Sequence, residues 1–410
     1  MNWRQISVLP LLALSFPAAA QAIPETVDLQ TVLTLARTSS PRVGAEEQDI
    51  AGAQAERQTA NALPNPSISY SGSYQPGGIT NFEGRRAHET TVEMPLDLGG
   101  KRRARVAAAD RRIDAARSRL AVSKLDFMSD TGSAFLALLG AQEMVGVRRD
   151  AMAELDRLRG IVAGRRASGM ASDYDVARVD VEIESARADL VEAESDVISA
   201  RTDLANALGF AGWHPVATGT LDEVSGTGFS PAQSADVLPA VVAAQDEQNA
   251  ARADVLTARR ERFPEVSING GRFWTTSPFG ATYMAGLTLE VPLFDRRNGA
   301  VRKAEADARA AELRTEIARA KALAEIDRYT ELVETRATAL DTFNSRVGGK
   351  LDALGRMAED SYRLGGGSVI ELIDATRSRF DNVATRIGLA GKLAEARLHL
   401  RLAREDGAGD

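Results

Sequence analysis

The chain has 410 residues, a formal net charge of −7 and no cysteine. Without cysteine it can form neither a disulfide framework nor a thiolate metal site, and it has no cysteine nucleophile. The negative charge disfavours nucleic acid as a partner. Charged residues make up 26% of the chain and aromatic residues only 5%, which predicts much exposed helical surface around a thin core.

The first 22 residues have the pattern of a secretory signal peptide. Arg4 supplies the positive charge, a short apolar run extends from Ile6 to Phe16, and Ala20-Gln21-Ala22 is typical of a cleavage site. We therefore expect 1–22 to be removed and the mature chain to begin at Ile23. No stretch approaches about 18 consecutive apolar residues, so strands are expected to carry any membrane insertion.

A first unit, residues 23–215, begins with a helical stretch from about Thr26 to Ala62, which a proline ends. Alternating residues at about 66–96 follow, with Ile68, Tyr70 and Tyr74 on one face and serines on the other. This period of two predicts a β-hairpin. Residues 101–208 then form a long helical hairpin, whose outgoing helix, with no proline from Lys101 to about Arg165, predicts a rod on the order of 100 Å.

Residues 216–410 repeat this order, with helices, a β-hairpin at about 265–292 and a long helical hairpin at about 298–402. The segment Leu63-Pro64-Asn65-Pro66-Ser67-Ile68-Ser69 recurs as Phe263-Pro264-Glu265-Val266-Ser267-Ile268-Asn269. A shift of about 200 residues is too long for a solenoid repeat. The sequence therefore predicts the tandem duplication of a domain-sized unit.

The returning helices carry apolar residues at alternating steps of three and four, the pattern of a coiled-coil seam. An ordinary globular helical bundle is the alternative, since heptads alone do not specify a tube. The seam residues are Val176, Val179, Ile183, Ala186, Leu190, Ala193, Val197, Ala200, Leu204 and Ala207 in the first unit, and Ile373, Thr376, Phe380, Val383, Ile387 and Ala390 in the second.

The two predicted hairpins supply four strands, which cannot close by themselves. Strands in a membrane must close into a barrel, because an open edge would leave backbone groups unsatisfied in lipid. The smallest such barrels have about eight strands. Several copies must therefore pool their strands.

The order of helices, hairpin and long helical hairpin, present twice, resembles the TolC family of outer-membrane efflux proteins. The junction Leu98-Gly99-Gly100-Lys101-Arg102 is most similar to the CzcC-like branch, which serves heavy-metal efflux. The resemblance implies a mainly α fold with a transmembrane β-barrel. A homotrimer would share a twelve-stranded antiparallel barrel in the outer membrane of a Gram-negative bacterium and a coiled-coil α-helical tube in the periplasm.

The resemblance also implies three partners besides the homotrimer: a periplasmic membrane-fusion adaptor, an inner-membrane RND transporter and outer-membrane lipid. The sequence contains no Gly-x-Ser-x-Gly, Walker or dinucleotide motif, so we expect a channel without a cofactor and not an enzyme. The alternatives are a duct for organic drugs or type I protein secretion. A periplasmic coiled-coil adaptor is less well supported, because it would carry one helical hairpin between β domains.

Three groups of residues are candidates for the working parts of such a duct. The helix-reversing turns would contact the adaptor, or only end helices: Gly169, Met170, Ala171, Gly366, Gly367 and Ser368. The acids Asp173, Asp175, Glu371 and Asp374 would cap helices or form carboxylate rings at the periplasmic entrance. The cations at the strand-to-helix junction would meet lipid headgroups or form a solvated run: Lys101, Arg102, Arg103, Arg296 and Arg297.

Histidine does not indicate a metal site. His88, His214 and His399 lie in three different segments, and no pair has the spacing of transition-metal ligands. If metal is the cargo, we expect this chain to conduct it without a tight site.

Overall fold

The computed structural model describes residues 23–75, 85–225, 234–275 and 280–405. The predicted signal peptide at 1–22 lies outside the described residues. The first half contains β1 (Thr26–Val27), α1 (Leu29–Thr38), α2 (Pro41–Asn61), β2 (Ser67–Gln75), β3 (Arg85–Leu96), α3 (Lys101–Ala167) and α4 (Asp173–Leu208). The second half contains β4 (Val216–Ala217), α5 (Leu221–Ser225), α6 (Pro239–Arg260), β5 (Glu265–Thr275), β6 (Gly280–Glu290), α7 (Asn298–Phe343), α8 (Gly349–Leu364) and α9 (Val369–Ala403).

The prediction of one helical stretch from Thr26 to Ala62 is wrong in detail. A two-residue strand comes first, and the helical part is divided into α1 and α2. Asp28 caps α1, since its Oδ1 accepts the N–H of Thr31 at 2.8 Å. Ser40 then caps α2, and Pro41 takes the first helical position, where its missing N–H costs nothing. Two capping residues therefore break the stretch.

The predicted helical hairpin at about 298–402 differs in detail, because the absence of proline from Asn298 to about Arg363 predicts one continuous outgoing helix. A π-helical segment, Asn344–Gly348, separates α7 from α8. By contrast, α3 runs unbroken for 67 residues, a length of about 100 Å. The two outgoing helices therefore differ in regularity.

The long helices enclose two separate apolar clusters. One surrounds Phe135 and Leu138 of α3 together with Leu204 of α4. The other lies nearer the helix-reversing turns, around Leu158, Val179 and Leu372. All the predicted seam residues of α4 and α9 are buried or half-buried. The heptad pattern thus identified the packed face of both returning helices.

The strands form one antiparallel sheet in the order β2-β3-β5-β6. Ile68 pairs with Val92, Glu93 with Asn269, and Ser267 with Thr288. The two predicted hairpins are therefore joined through β3 and β5. Within the described residues, β2 and β6 each have an edge without a partner strand, and the sheet exposes Ile68, Tyr283 and Leu287 by 75%, 78% and 67%. Exposed apolar area of this kind is typical of a surface that contacts another protein or a membrane.

A second, two-stranded sheet pairs β1 with β4 in parallel, Thr26 opposite Val216. This sheet joins the segment before α1 to the segment before α5. In the described part of the chain, no helix combines the length and the apolar character needed to cross a bilayer.

Candidate functional site

The two helix-reversing turns lie together at one end of the molecule. The first follows α3, where Gly169 has φ 73°, and the second follows α8, where Gly365 has φ 86°. Arg165 joins them: its Nη1 donates to the carbonyl oxygens of Tyr362 and Arg363, the latter at 2.8 Å, and its Nη2 donates to that of Met170 at 3.3 Å. One side chain therefore links the tips of the two hairpins.

The predicted tip residues differ in what they present to solvent. Gly169, Met170, Gly366 and Ser368 are exposed, whereas Ala171 and Gly367 are half-buried. A Cβ on Gly367 would lie 2.9 Å from the Ser361 hydroxyl. A side chain at position 367 would therefore displace Ser361 within the second tip.

Two of the four predicted acids are helix caps. The Asp175 N–H donates to Ser172 Oγ at 3.2 Å, and Asp175 Oδ2 accepts the Ser172 N–H at 2.8 Å. Ser368 and Glu371 repeat this reciprocal pair at 3.2 and 3.1 Å. Both acids therefore satisfy N–H groups that helix ends leave without a partner.

The other two acids have different surroundings. Asp173 pairs with Arg166, and its side chain remains 83% exposed. Asp374 is exposed one turn into α9 and takes part in no ion pair with any residue that the structure describes. These two carboxylates remain available to a surrounding aqueous space.

A cluster of charged residues that the sequence analysis missed connects α3 to α8. The Nη2 of Arg157 donates to Glu154 Oε1 at 2.7 Å and to Glu359 Oε2 at 2.6 Å. Arg363 approaches Glu359 at 2.7 Å. These hydrogen bonds lower the pKa of both glutamates. Arg157 and Glu359 are 202 residues apart, so no local pattern could have paired them.

Tyr362 is a further residue that the sequence did not single out. It is buried beside Val162 and Val179, with the Arg165 guanidinium 4.8 Å from its ring centroid. Burial, helped by the charge of Asp175, raises the pKa of its hydroxyl. A cation over an aromatic face adds attraction, so Arg165 holds this tip by both its hydrogen bonds and its charge.

The cluster around Arg157 should weaken in acid. Because the pKa values of Glu154 and Glu359 are lowered in the folded state, their contribution to stability is present above the ordinary glutamate pKa and is lost as pH falls through the lowered values. We expect thermal unfolding between pH 7 and 3 to show a loss of about 0.5–1 kcal/mol per ion pair. An Arg157→Met variant should lack that part of the pH dependence; an unchanged profile would contradict the assignment.

Two of the five predicted junction cations, Lys101 and Arg297, pair with carboxylates of the chain. Lys101 Nζ, whose side chain is 8% exposed, lies 3.4 Å from Glu265 Oε1. Arg297 reaches Glu261 at 3.2 Å and Glu265 at 3.8 Å. The unfavourable field of a helix N-terminus on these cations is therefore offset by carboxylates. Arg102, Arg103 and Arg296 are exposed and remain candidates for contact with lipid.

Metal ligands do not converge in the described ranges, where no group of three or more histidines and acids could hold an ion. His88 lies on β3 between Tyr70 and Trp274, His214 is exposed, and His399 contacts Ser129 and Ser133 between the long helices. The three histidines thus have separate sets of neighbours in the fold.

The fold and the family comparison agree. The Outer membrane efflux protein family matches residues 32–210 and 233–404. The chain therefore belongs to this family of outer-membrane efflux channels. Its structure superposes on CusC with a TM-score of 0.79 at 18% identity, covering 98% of both chains, and on VceC of Vibrio cholerae with a TM-score of 0.71 at 17% identity, covering 92% and 95%.

Two relatives are more similar in sequence. The cobalt-zinc-cadmium resistance protein CzcC of Cupriavidus metallidurans is 26% identical over 383 residues, which are 90% of this chain and 87% of that protein. The nickel-cobalt-cadmium resistance protein NccC of Alcaligenes xylosoxydans xylosoxydans is 25% identical over 316 residues, which are 77% and 71% of the two chains.

Proposed function

We propose that the chain is the outer-membrane exit duct of a tripartite pump that exports heavy-metal cations. Three copies would share a twelve-stranded barrel, with the long helices forming a tube in the periplasm. The proposed oligomer rests on the four-stranded sheet, which has an exposed apolar face and, in the part of the chain that the structure describes, two edges without a partner strand. Pairing β6 of one copy with β2 of the next would satisfy both edges.

A duct in the outer membrane with its tube in the periplasm would need two protein partners. An inner-membrane RND transporter would supply the cargo, and a periplasmic membrane-fusion adaptor would meet the tips. Met170, 62% exposed, and Leu364, 87% exposed, are apolar side chains at the two tips that such an adaptor could cover. Gly169, Ala171, Gly366 and Ser368 would permit its close approach.

The oligomer can be tested by native mass spectrometry of the detergent-solubilised protein. We expect a trimer that needs detergent, because its outer face would be apolar. A stable monomer in detergent-free buffer would overturn the duct proposal.

The cargo is proposed from the relatives, since CzcC and NccC carry metal resistance in their names. Deleting the gene should sensitise the host to zinc, cobalt or cadmium more than to lipophilic drugs. Growth inhibition by both groups of compounds measures this, with the wild-type gene restored on a plasmid as the control. Marked drug sensitivity with normal metal tolerance would move the assignment to a duct for organic drugs.

The entrance proposal assigns Asp173 and Asp374 to rings of charge in the tube mouth, because the structure leaves both exposed. Rings of acids concentrate cations in a narrow opening. The Asp173→Asn, Asp374→Asn double variant should lose cation selectivity, measured as a reversal potential across a planar bilayer in a salt gradient.

The matched control replaces the two capping acids, with Asp175→Asn and Glu371→Gln. We expect a loss of about 0.5–1 kcal/mol per helix with selectivity intact. Unchanged selectivity in the Asp173, Asp374 pair would leave those two acids without a role in ion passage.

A further inference from the structure

We propose that one rim of the sheet binds the phosphate groups of lipid in the outer leaflet; this inference rests on the proposed function. The surface, here called the aromatic rim, lies at the end of the sheet where β2 stops and β3 starts. It comprises Tyr70, Tyr74, Arg86, Arg272, Trp274 and Tyr283.

The strand register places these residues on one face. Directly opposed residues in an antiparallel ladder share a face. Tyr74 pairs with Arg86, His88 with Trp274, and Arg272 with Tyr283. His88 bridges the rim, since its ring stacks at 5.9 Å on Tyr70 and at 5.6 Å on Trp274, and its Nδ1 lies 2.7 Å from the Tyr70 hydroxyl. The aromatic rings of the rim are thus ordered by stacking and by a hydrogen bond.

The same face becomes apolar further from the rim, where it carries Ile68, Val92, Ile268, Leu287 and Leu289, all exposed. Tyrosine and tryptophan collect where a membrane protein leaves the hydrocarbon and meets the headgroups. The rim therefore borders the hydrocarbon at headgroup level. A ligand there needs an apolar part and a polar head, which favours lipid over a free anion.

The positive charge of the aromatic rim favours an anionic headgroup. The acids of the sheet, Glu89, Glu93, Glu265 and Glu290, occupy the opposite face, because neighbouring positions along a strand alternate. The rim carries the guanidinium groups of Arg86 and Arg272 and, within the described ranges, no acid.

The two arginines have unequal surroundings. The Arg86 guanidinium lies 5.9 Å from the Tyr74 ring. Arg272 is exposed, and its neighbours across the strands are Thr90 and Tyr283. A guanidinium at the edge of hydrocarbon is stabilised by an anion, and its planar donors suit phosphate.

Native mass spectrometry can test the proposal with purified bisphosphorylated lipid A as the probe. We expect the wild-type trimer to retain the bisphosphorylated lipid A. Arg272→Gln and Arg86→Gln should each weaken the affinity for this lipid about fivefold. Arg272→Lys should bind with an affinity between those of the wild type and Arg272→Gln, because it keeps the charge but loses the planar donors. Arg252→Gln, a change at an exposed arginine of α6, is the matched control and should bind as the wild type does.

Three outcomes would overturn the inference: equal retention by the wild type and the Arg86→Gln, Arg272→Gln variant, equal binding of dephosphorylated lipid A, or equal occupancy by inorganic pyrophosphate. The same spectra report the oligomer, so a detergent-free monomer would refute the duct itself. If the double variant does not assemble, salt replaces it: raised ionic strength should release the bisphosphorylated lipid from the wild type more readily than the dephosphorylated one, and equal release would refute the proposal.

Discussion

Replacing Arg165 with methionine is expected to raise the open fraction of the proposed entrance strongly. The change removes donors to the carbonyl oxygens of Tyr362 and Arg363, which belong to the other hairpin, and the cation over the Tyr362 ring. Hydrogen bonds from charged groups contribute about 1.5–3 kcal/mol each. A loss of about 3 kcal/mol per copy would change the equilibrium between the hairpins more than a hundredfold. Single-channel conductance in planar bilayers measures the effect.

Arg159→Met is the control for this experiment. Arg159 carries the same charge on the same helix α3, but it pairs with Asp180 of its own hairpin. Its replacement should leave conductance close to that of the wild type. If both variants behave alike, charge on α3 matters and the link between the hairpins does not.

Gly99→Ala is expected to be the most destabilising small substitution at the strand-to-helix junction. Gly99 has φ 73°, and a Cβ there would lie 2.5 Å from Cγ of Phe263. The left-handed backbone costs an alanine roughly 1–2 kcal/mol, and forcing apart a packed contact adds about 1–3 kcal/mol. We therefore expect a loss of about 2–5 kcal/mol in the free energy of unfolding, measured with urea.

The neighbouring glycine separates these two contributions. Gly100 has φ 74°, and nothing lies within 4 Å of a Cβ built on it. Gly100→Ala should therefore lose only the backbone part. Equal losses in the two variants would show that Phe263 moves aside and that packing at the junction is unimportant.

Much of the fold could be predicted because its signals are local. The period of two in β2, the heptads of α4 and the glycines between long helices each depend on residues a few positions apart. Val179 and Ile183, for example, are buried as their spacing predicted. The pairing of β3 with β5 joins positions such as Glu93 and Asn269, and no local pattern specifies such a contact.

In the candidate site too, the contacts between neighbours in sequence could be predicted and the long-range contacts could not. The caps at Asp175 and Glu371 follow a motif of four residues, so sequence could find them. The contacts of Arg157 with Glu359 and of Arg165 with Tyr362 join different hairpins, and exposed arginines elsewhere on these helices look the same in sequence. The partners of Lys101 and Arg297 were missed because they are distant in sequence: Glu265 is 164 residues from Lys101, and Glu261 is 36 residues from Arg297.

The π-helical segment changes which residues of the second outgoing helix face inward. In α7, Ile326, Val333 and Leu340 are buried at seven-residue steps. The same steps lead on to Leu354, which is 54% exposed, whereas Tyr362 is buried one position beyond the next expected place. A π turn takes up one extra residue, equivalent to about 100° of rotation. The extra residue in Asn344–Gly348 therefore sets the direction in which each side chain of α8 points. Tyr362 faces Arg165 because of one additional residue that lies about 20 Å away along the helix.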